Sequence, residues 1–334
     1  TTIAFDIAVL ELFLPLIVSG TVVLAARADA MNPEAIESLL DEHDVTMMQA
    51  TPATWHMLLQ NSWVGRHSMT ALVGGEALSP DLAEELLPRV RELWNMYGPT
   101  ETTVWSTCCA VRRGVRPISI GTAIRGTRTY VLNDVGTPTP LGVAGELCIA
   151  GDGVAAGYHE RPDLTADRFV PDPFVSTACA RMYRTGDLVR VQDSGALTYI
   201  GRRDFQVKIR GYRIELGEIE AVLEGHPQVG QAVAVVRDAG QTSATLVAYV
   251  RPADADVDTV AIDAYLRGRL PAYMVPSRIA VINEFQLTPS GKVDRKRLPE
   301  IEEAAEGDCE QTWEPRNEFE RSLRRHWHSV LGHR

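Results

Sequence analysis

Basic residues are in short supply. The 334-residue chain carries 33 Lys and Arg against 44 Asp and Glu, a net charge of −11. Long duplex nucleic acid needs a basic face, so no nucleic acid is expected as a partner. Cysteines are few and badly spaced for cross-linking. Cys108, Cys109, Cys148, Cys179 and Cys309 are odd in number, two are adjacent and none forms a Cys-x-x-Cys pair. A disulfide framework or structural zinc site is therefore not expected, and a reducing, cytoplasmic location is. The eight histidines are scattered, and the two in "HWH" at 326–328 would point to different faces of a helix.

Long apolar runs are missing too. The strongest, "LFLPLIVSGTVVLAA" at 12–26, falls short of the roughly 20 residues a membrane span needs. Glu11 bounds it and no basic segment precedes it, so neither a membrane partner nor a signal peptide is expected. It reads as a buried helix followed by a buried strand. No internal repeat is visible.

Ordinary globular composition remains, 45% apolar and 23% charged. The first hundred residues alternate. "FDIAVLELFLPLI", "NPEAIESLLDEH", "PATWHMLLQ" and "SPDLAEELLPRV" read as helices. Asn32 and Ser79 stand at cap positions, each with a proline behind it. "TVVLAA", "VTMMQA", "TALVGG" and "ELWNMYG" read as the strands between. This pattern predicts a parallel sheet covered on both faces, with ligands outside the carboxyl ends of its strands. Two of those ends read "VGGEA" and "NMYGPTE". From about residue 111 short strands with Gly and Pro turns predict a small β-rich unit. Beyond "GRRD" at 201–204 a compact α+β unit begins and runs to Pro299, and an acidic stretch and an amphipathic helix close the chain.

Several motifs carry two readings. Asp187 in "YRTGDL" is a turn residue bonding its own backbone, or a carboxylate for two ribose hydroxyls. Lys292 in "LTPSGKVDR" is a solvated surface cation, or one thrust into a cleft to neutralise developing charge. Asp6 is a helix cap, or a partner for a ligand cation. "IAGDGVAAGY" at 149–158 suggests a dinucleotide loop, but Pro162 is expected to bar an early helix, leaving the glycines as turn formers. "SGTVV" at 19–23 has no further Gly and no Lys to cradle a phosphate.

In order, "FDIAVLELFLPL", "NMYGPTETT", "GELCIAGDGVAAGY", "YRTGDL", "GRRDFQVKIRGYRIELGEIE", "LPAYMVP" and "PSGKVDR" resemble the signature segments of the adenylation domain of non-ribosomal peptide synthetases, in the adenylate-forming superfamily. The resemblance spans residue 1 to about 299. It implies an α/β fold: part of a large doubly wound subdomain with a small β-rich subdomain (1–203), then a compact α+β C-terminal subdomain (204–299). An acidic linker (300–314) and the first helix of a carrier domain (315–334) would follow. Relative to the family both ends are cut short. The phosphate loop would lie upstream and the carrier's serine downstream, so this stretch alone is expected to be weak or inactive.

The implied chemistry joins ATP and an amino acid, with Mg²⁺, into an aminoacyl adenylate. The acyl group then passes to the phosphopantetheine thiol of a downstream carrier domain. An upstream condensation domain would be a further partner, and some relatives need a small helper protein. By resemblance Tyr97 stacks on adenine, Asn95 reads its amino edge, and Gly75, Glu76 and Ala77 border the nucleotide. Thr100 contacts the α-phosphate and Glu101 holds Mg²⁺. Asp187 grips the ribose beside Tyr199 and Arg202. Lys292 bridges the carboxylate and the adenylate, and Asp204 is the hinge between two orientations of the small subdomain. Asp6 would pair the α-ammonium. Ile7, Leu10, Gln49, Leu72, Gly74, Met96, Val104 and Trp105 would line the side-chain pocket, which Trp105 crowds. The set resembles that of glycine-activating members, so glycine is expected, with alanine second. An acyl- or aryl-CoA ligase of the same superfamily, or an incomplete fragment that only binds, are the alternatives.

Overall fold

The computed structural model describes residues 1–177, 179–203, 206–209, 212–237, 244–253, 257–286, 293–300, 318, 320 and 322. The chain divides into two units, Thr1–Ile282 and Asn283–Arg334. Lys292, Asp204, most of the acidic linker and most of the closing helix lie outside the described residues.

The first unit opens with helix α1 (Ala8–Ile17), then α2 (Pro33–Glu42), strand β1 (Met47–Ala50) and α3 (Pro52–Gln60). β2 (Arg66–Gly74), α4 (Pro80–Leu86) and β3 (Val90–Tyr97) continue the alternation. The caps explain the helix starts. Asn32 accepts from the amides of Glu34 and Ala35 at 3.0 and 3.4 Å, and Ser79 accepts from Leu82 N at 3.2 Å. Pro33, Pro52 and Pro80 sit where a missing amide costs nothing.

β1, β2 and β3 are parallel neighbours; β4 (Thr107–Ala110) and β5 (Thr122–Ala123) extend the sheet antiparallel. Trp55, Leu58, Met69, Leu82, Leu86 and Leu93 form the core between this sheet and its helices. Of the short strands expected after residue 111, the first is reduced to Thr122–Ala123, with Gly121 just before it making a single bridge.

The apolar run at 12–26 departs from expectation. Residues 21–26 form no strand, because no neighbouring ladder among the described residues receives them, and Leu24 is 74% exposed. In α1 only Ala8 is buried, while Phe13, Leu16 and Ile17 face outward.

The β-rich unit is a second sheet. Its strands β6 (Thr127–Leu132), β7 (Gly145–Gly151), β9 (Arg181–Val191) and β10 (Leu197–Arg202) run in the order β10-β9-β7-β6, and β8 (Phe169–Pro171) pairs with β9. Helix α5 (Pro162–Arg168) precedes β8, which corrects the reading of Pro162: a proline at the first helical position starts the helix instead of barring it. Gly121 bridges to Leu197, tying the two sheets together.

A hairpin, β11 (Val207–Ile209) with β12 (Tyr212–Ile214), leads to helix α6 (Leu216–Glu224). β13 (Val229–Arg237), β14 (Thr245–Pro252), helix α7 (Thr259–Arg267) and β15 (Arg278–Val281) complete a three-stranded sheet, order β13-β14-β15, with its own core around Ile219, Leu223, Ile262 and Leu266. In the second unit, a 3-10 turn at Arg295–Arg297 follows Asp294, whose amide donates to Gln286 O at 2.8 Å. Among the described residues no helix is long and apolar enough to cross a membrane.

Candidate active site

The carboxyl ends of β2 and β3 and the middle of β9 meet at one cleft of about 540 Å³, open mouth included. Phe5, Ile7, Gly75, Tyr97, Thr100, Trp105, Asp187 and Arg202 line it, with Tyr183, Thr185, Gln206 and Lys208 among their neighbours.

Asp187 is the electrostatic centre of one side. It stands inside an 11-residue strand rather than in the turn its sequence suggests. The β7–β9 register slips between Glu146 and Cys148: two steps along β7 match four along β9. Gly186, at φ +74°, takes up the extra chain, a conformation that side-chain-bearing residues avoid. The resulting bulge re-aims Asp187. Its amide donates to Thr185 Oγ1 at 3.0 Å, and the Gly186 amide donates to Glu146 Oε1 at 3.2 Å.

The Asp187 carboxylate is nearly fully buried and doubly held. Arg202 Nη1 donates to Oδ1 at 2.8 Å, and the Tyr97 hydroxyl donates to Oδ2. Burial pushes the Tyr97 phenol well above its ordinary pKa, and the Asp187 charge pushes the same way, so Tyr97 stays a donor. A carboxylate oxygen can accept more than one hydrogen bond, which suits such a group to ligand hydroxyls.

The loop after β3 carries Thr100 and Glu101. It is strained: Thr103 and Val104 both have positive φ, 64° and 67°. It closes because Ser106 N donates to Tyr97 O at 2.8 Å and because Gly98 lies so close to Val104 O that a side chain there would overlap it. Thr100 is exposed toward the cleft, whereas Glu101 is buried. Tyr158 donates to Glu101 Oε1 at 2.7 Å, and burial raises the Tyr158 pKa, with the bonds to Tyr183 and Glu101 adding to it. No cluster of three or more metal-ligating side chains occurs among the described residues. Glu101 alone suits Mg²⁺, which takes one or two carboxylates and draws its other ligands from phosphates and water.

Ile7, Gly75 and Trp105 form another part of the lining, with Gln49 of β1 and Gly74 of β2 in contact with the indole. Trp105 is 5% exposed, and its Nε1 donates to Gln49 Oε1 at 2.9 Å. Gln49 Nε2 donates to Ile7 O and to Glu11 Oε1, each at 2.9 Å. The indole lies flush on Gly74, where a Cβ would overlap Trp105 Cη2 and stand 2.8 Å from Met96 O. Asp6 does not cap α1; Ile7 holds that position without a side-chain bond. Instead Asp6 Oδ2 is buried without a hydrogen-bond partner among the described residues.

The cleft thus gathers Ile7, Gly75, Tyr97, Thr100, Trp105, Asp187 and Arg202 from the sequence-derived set. Gln49 and Gly74 stand behind Trp105; Leu72 and Met96 lie on β2 and β3, and Leu10 and Val104 are half-buried nearby in sequence. Asn95 is buried and donates to Ser119 O at 2.8 Å. Glu76 and Ala77 follow β2 in a loop, and Tyr199 packs with Tyr97 against the core of the second sheet. Sequence reading did not single out Tyr158, Glu146 or Glu11. Glu11 had a signal: it lies four residues after Ile7, on the same helix face.

Comparison with known proteins identifies the family. Residues 1–159 match the AMP-binding enzyme family and residues 218–292 the AMP-binding enzyme C-terminal domain. A dimodular nonribosomal peptide synthase of Bacillus subtilis (strain 168) is 48% identical over 300 residues, covering 90% of this chain and 12% of that protein. Tyrocidine synthase 3 of Brevibacillus parabrevis is 42% identical over 99% of this chain and 5% of its own length. The chain therefore spans a small part of these curated relatives. Among solved structures, holo-AB3403, a four-domain nonribosomal peptide synthetase bound to AMP and glycine, is similar at 43% identity and TM-score 0.60, over 99% of this chain and 25% of that one. Holo-PA1221, with adenylation and PCP domains bound to a vinylsulfonamide inhibitor, superposes at TM-score 0.78 and 28% identity, over 99% of this chain and 56% of that one. Fold, motif order and matched residues agree: the chain belongs to the AMP-binding enzymes, among the adenylation domains of nonribosomal peptide synthetases.

Proposed function

We propose that this chain is the amino-acid-activating part of a synthetase module. The carboxylate of glycine, or less well alanine, would displace pyrophosphate from ATP to give the aminoacyl adenylate, and the phosphopantetheine thiol of a carrier domain would then take the acyl group and release AMP. The observation that carries this reading is the Asp6 carboxylate, whose Oδ2 is buried and lacks a hydrogen-bond partner among the described residues. A buried, unpaired acceptor is costly to hold, and a ligand ammonium relieves that cost. A CoA ligase acting on a plain acid would gain nothing from it.

The indole of Trp105 supports a small side chain. Packed on Gly74 and bonded to Gln49, it takes up space that a larger substrate would need. Such a wall excludes by bulk more sharply than it discriminates among small residues. That AB3403 is bound to AMP and glycine accords with this choice.

On the nucleotide side, Asp187 would accept the ribose hydroxyls while Arg202 and Tyr97 hold it in place. Thr100 would donate to the α-phosphate, and Glu101, steadied by Tyr158, would hold Mg²⁺. Bound there, Mg²⁺ would neutralise charge on the phosphates. Lys292 would carry charge at the reacting carboxyl, and Asp204 would be the hinge; the domain limits are those given from the sequence. Since joining carboxylate to phosphate depends on positioning and charge neutralisation, residues already held by one another have little left to rearrange. Carrier and condensation domains are the proposed partners, as in multidomain relatives.

Amino-acid-dependent exchange of labelled pyrophosphate into ATP by the intact module tests this. Glycine should be the fastest substrate, alanine second, and Asp6→Ala should lower exchange by about 10²–10³-fold. Faster exchange with leucine or phenylalanine would refute the assignment to a small substrate.

A further inference from the structure

We infer that Glu11 is a positioning residue for substrate size: its carboxylate fixes the Gln49 amide so that the amide oxygen holds the Trp105 indole against Gly74. The inference rests on reading this pocket as the amino-acid site.

A glutamine amide is nearly symmetric in shape but not in chemistry, since one end donates and the other accepts. Gln49 is 8% exposed, so water cannot correct a wrong orientation cheaply. Three groups surround its amide. The Ile7 carbonyl and a Glu11 carboxylate oxygen, both pure acceptors, lie 2.9 Å from Nε2; the Trp105 N–H, a pure donor, lies 2.9 Å from Oε1. Turning the amide over would set N–H against N–H at the indole and oxygen against oxygen at the other two. Glu11 supplies the charge-assisted member of the set, the stronger kind of hydrogen bond. It also accepts from the Thr1 hydroxyl.

The consequence reaches the pocket. The Trp105 side chain has one polar atom, and its only hydrogen bond among the described residues is to Gln49. Gly74 offers a flat floor but no handle. Whether the indole stays flush therefore depends on which end of the Gln49 amide faces it, and that depends on α1. A residue outside the cleft lining thus limits which side chains the cleft accepts.

The test compares Glu11→Lys, Glu11→Ala and Glu11→Gln in the intact module. A lysine donor at position 11 calls for the amide oxygen and turns the amide over. A glutamine there still offers an acceptor. The ratio of alanine-dependent to glycine-dependent pyrophosphate exchange should rise about tenfold in Glu11→Lys and about threefold in Glu11→Ala. It should stay at the wild-type value in Glu11→Gln, with the KM for ATP unchanged in all three. A ratio within twofold of wild type in both Glu11→Lys and Glu11→Ala overturns the inference, as does an equal fall with both amino acids. If the wild-type module answers to neither amino acid, the reading of the pocket fails on its own. A crystal structure of the Glu11→Lys module then decides this inference separately. The Trp105 Nε1–Gln49 Oε1 contact should be lost, beyond about 3.5 Å; if it persists, the inference is wrong whatever the module activates.

Discussion

The two walls of the cleft treat charge in opposite ways. On the nucleotide side every carboxylate already has a donor: Asp187 has Arg202 and Tyr97, and Glu101 has Tyr158. Beside the other wall Asp6, between the lining residues Phe5 and Ile7 though not itself lining the cleft, keeps one buried oxygen with no partner among the described residues. The first wall is organised before any ligand arrives; the second stores a cost that a cation removes. On the proposed reading, nucleotide groups would be held in place by the fold, whereas amino-acid recognition would draw on an unsatisfied group.

The sharpest way to break this contrast is to remove the unpaired carboxylate. Asp6→Ala should lower amino-acid-dependent exchange by about 10²–10³-fold, the usual cost of truncating one partner of a buried charge pair. Yet it should leave the free protein as stable as before, or up to about 1 kcal/mol more stable, since a buried unsatisfied acceptor is gone. Denaturant unfolding and ATP titration, run beside the exchange assay, separate the two effects. A large loss of stability would mean that Asp6 is already paired in the free protein.

Asp187→Ala should do the reverse. It takes the carboxylate away from the Tyr97 hydroxyl and from the Arg202 guanidinium, which keeps its bond to Thr185 O, in a site whose two charged side chains are only 13% and 9% exposed. Breaking a buried pair this way costs about 3 kcal/mol of stability. ATP binding should weaken with it, while the preference for glycine over alanine in residual exchange stays the same. If stability is untouched, the nucleotide wall is not the preorganised one.

These sites were unequally visible in the sequence, and the reason is physical. Helices α2 and α4 were legible down to the starting residue, because Asn32, Pro33, Ser79 and Pro80 act locally on the amides beside them. The order of the signature segments likewise pointed to Tyr97, Asp187 and Trp105. What the sequence did not reveal was pairing at long range. Tyr158 reaches Glu101 across 57 positions, and Glu11 reaches Gln49 across 38. The bulge that aims Asp187 was hidden because "YRTGDL" looks like a turn, while its tertiary setting makes it a strand with two extra residues. Residues 21–26 failed for the same reason in reverse. Their β-branched pattern favours a strand, but a strand needs a neighbour, and none is present among the described residues.

Gly74→Ala probes the amino-acid wall more gently. The added methyl would overlap the indole and crowd Met96 O, so strand or ring must shift. Overpacking of this kind costs about 1–3 kcal/mol. Glycine-dependent exchange should fall about tenfold, the equivalent of about 1.4 kcal/mol, with the KM for ATP unchanged. A matching rise in the KM for ATP would show that the two walls are not separable.

The smallest effect belongs to Tyr97 and appears only in alkali. Burial and the Asp187 charge raise its pKa in the folded protein, while in the unfolded chain it titrates near the ordinary value of 10.0. Between those two values the folded state keeps a proton that the unfolded state has released. Stability must therefore fall as pH rises above 10, at about 1.4 kcal/mol per pH unit for one such group. Below pH 10 both states keep the proton and the group contributes no slope. Tyr97→Phe cannot ionise, so its stability should decline less steeply from pH 10 to 11 by that amount, even though Asp187 loses a donor at every pH. Urea unfolding of both proteins at pH 9, 10 and 11 measures the two slopes. Parallel slopes would mean that the Tyr97 hydroxyl is solvated, and that the nucleotide wall owes its order to Arg202 alone.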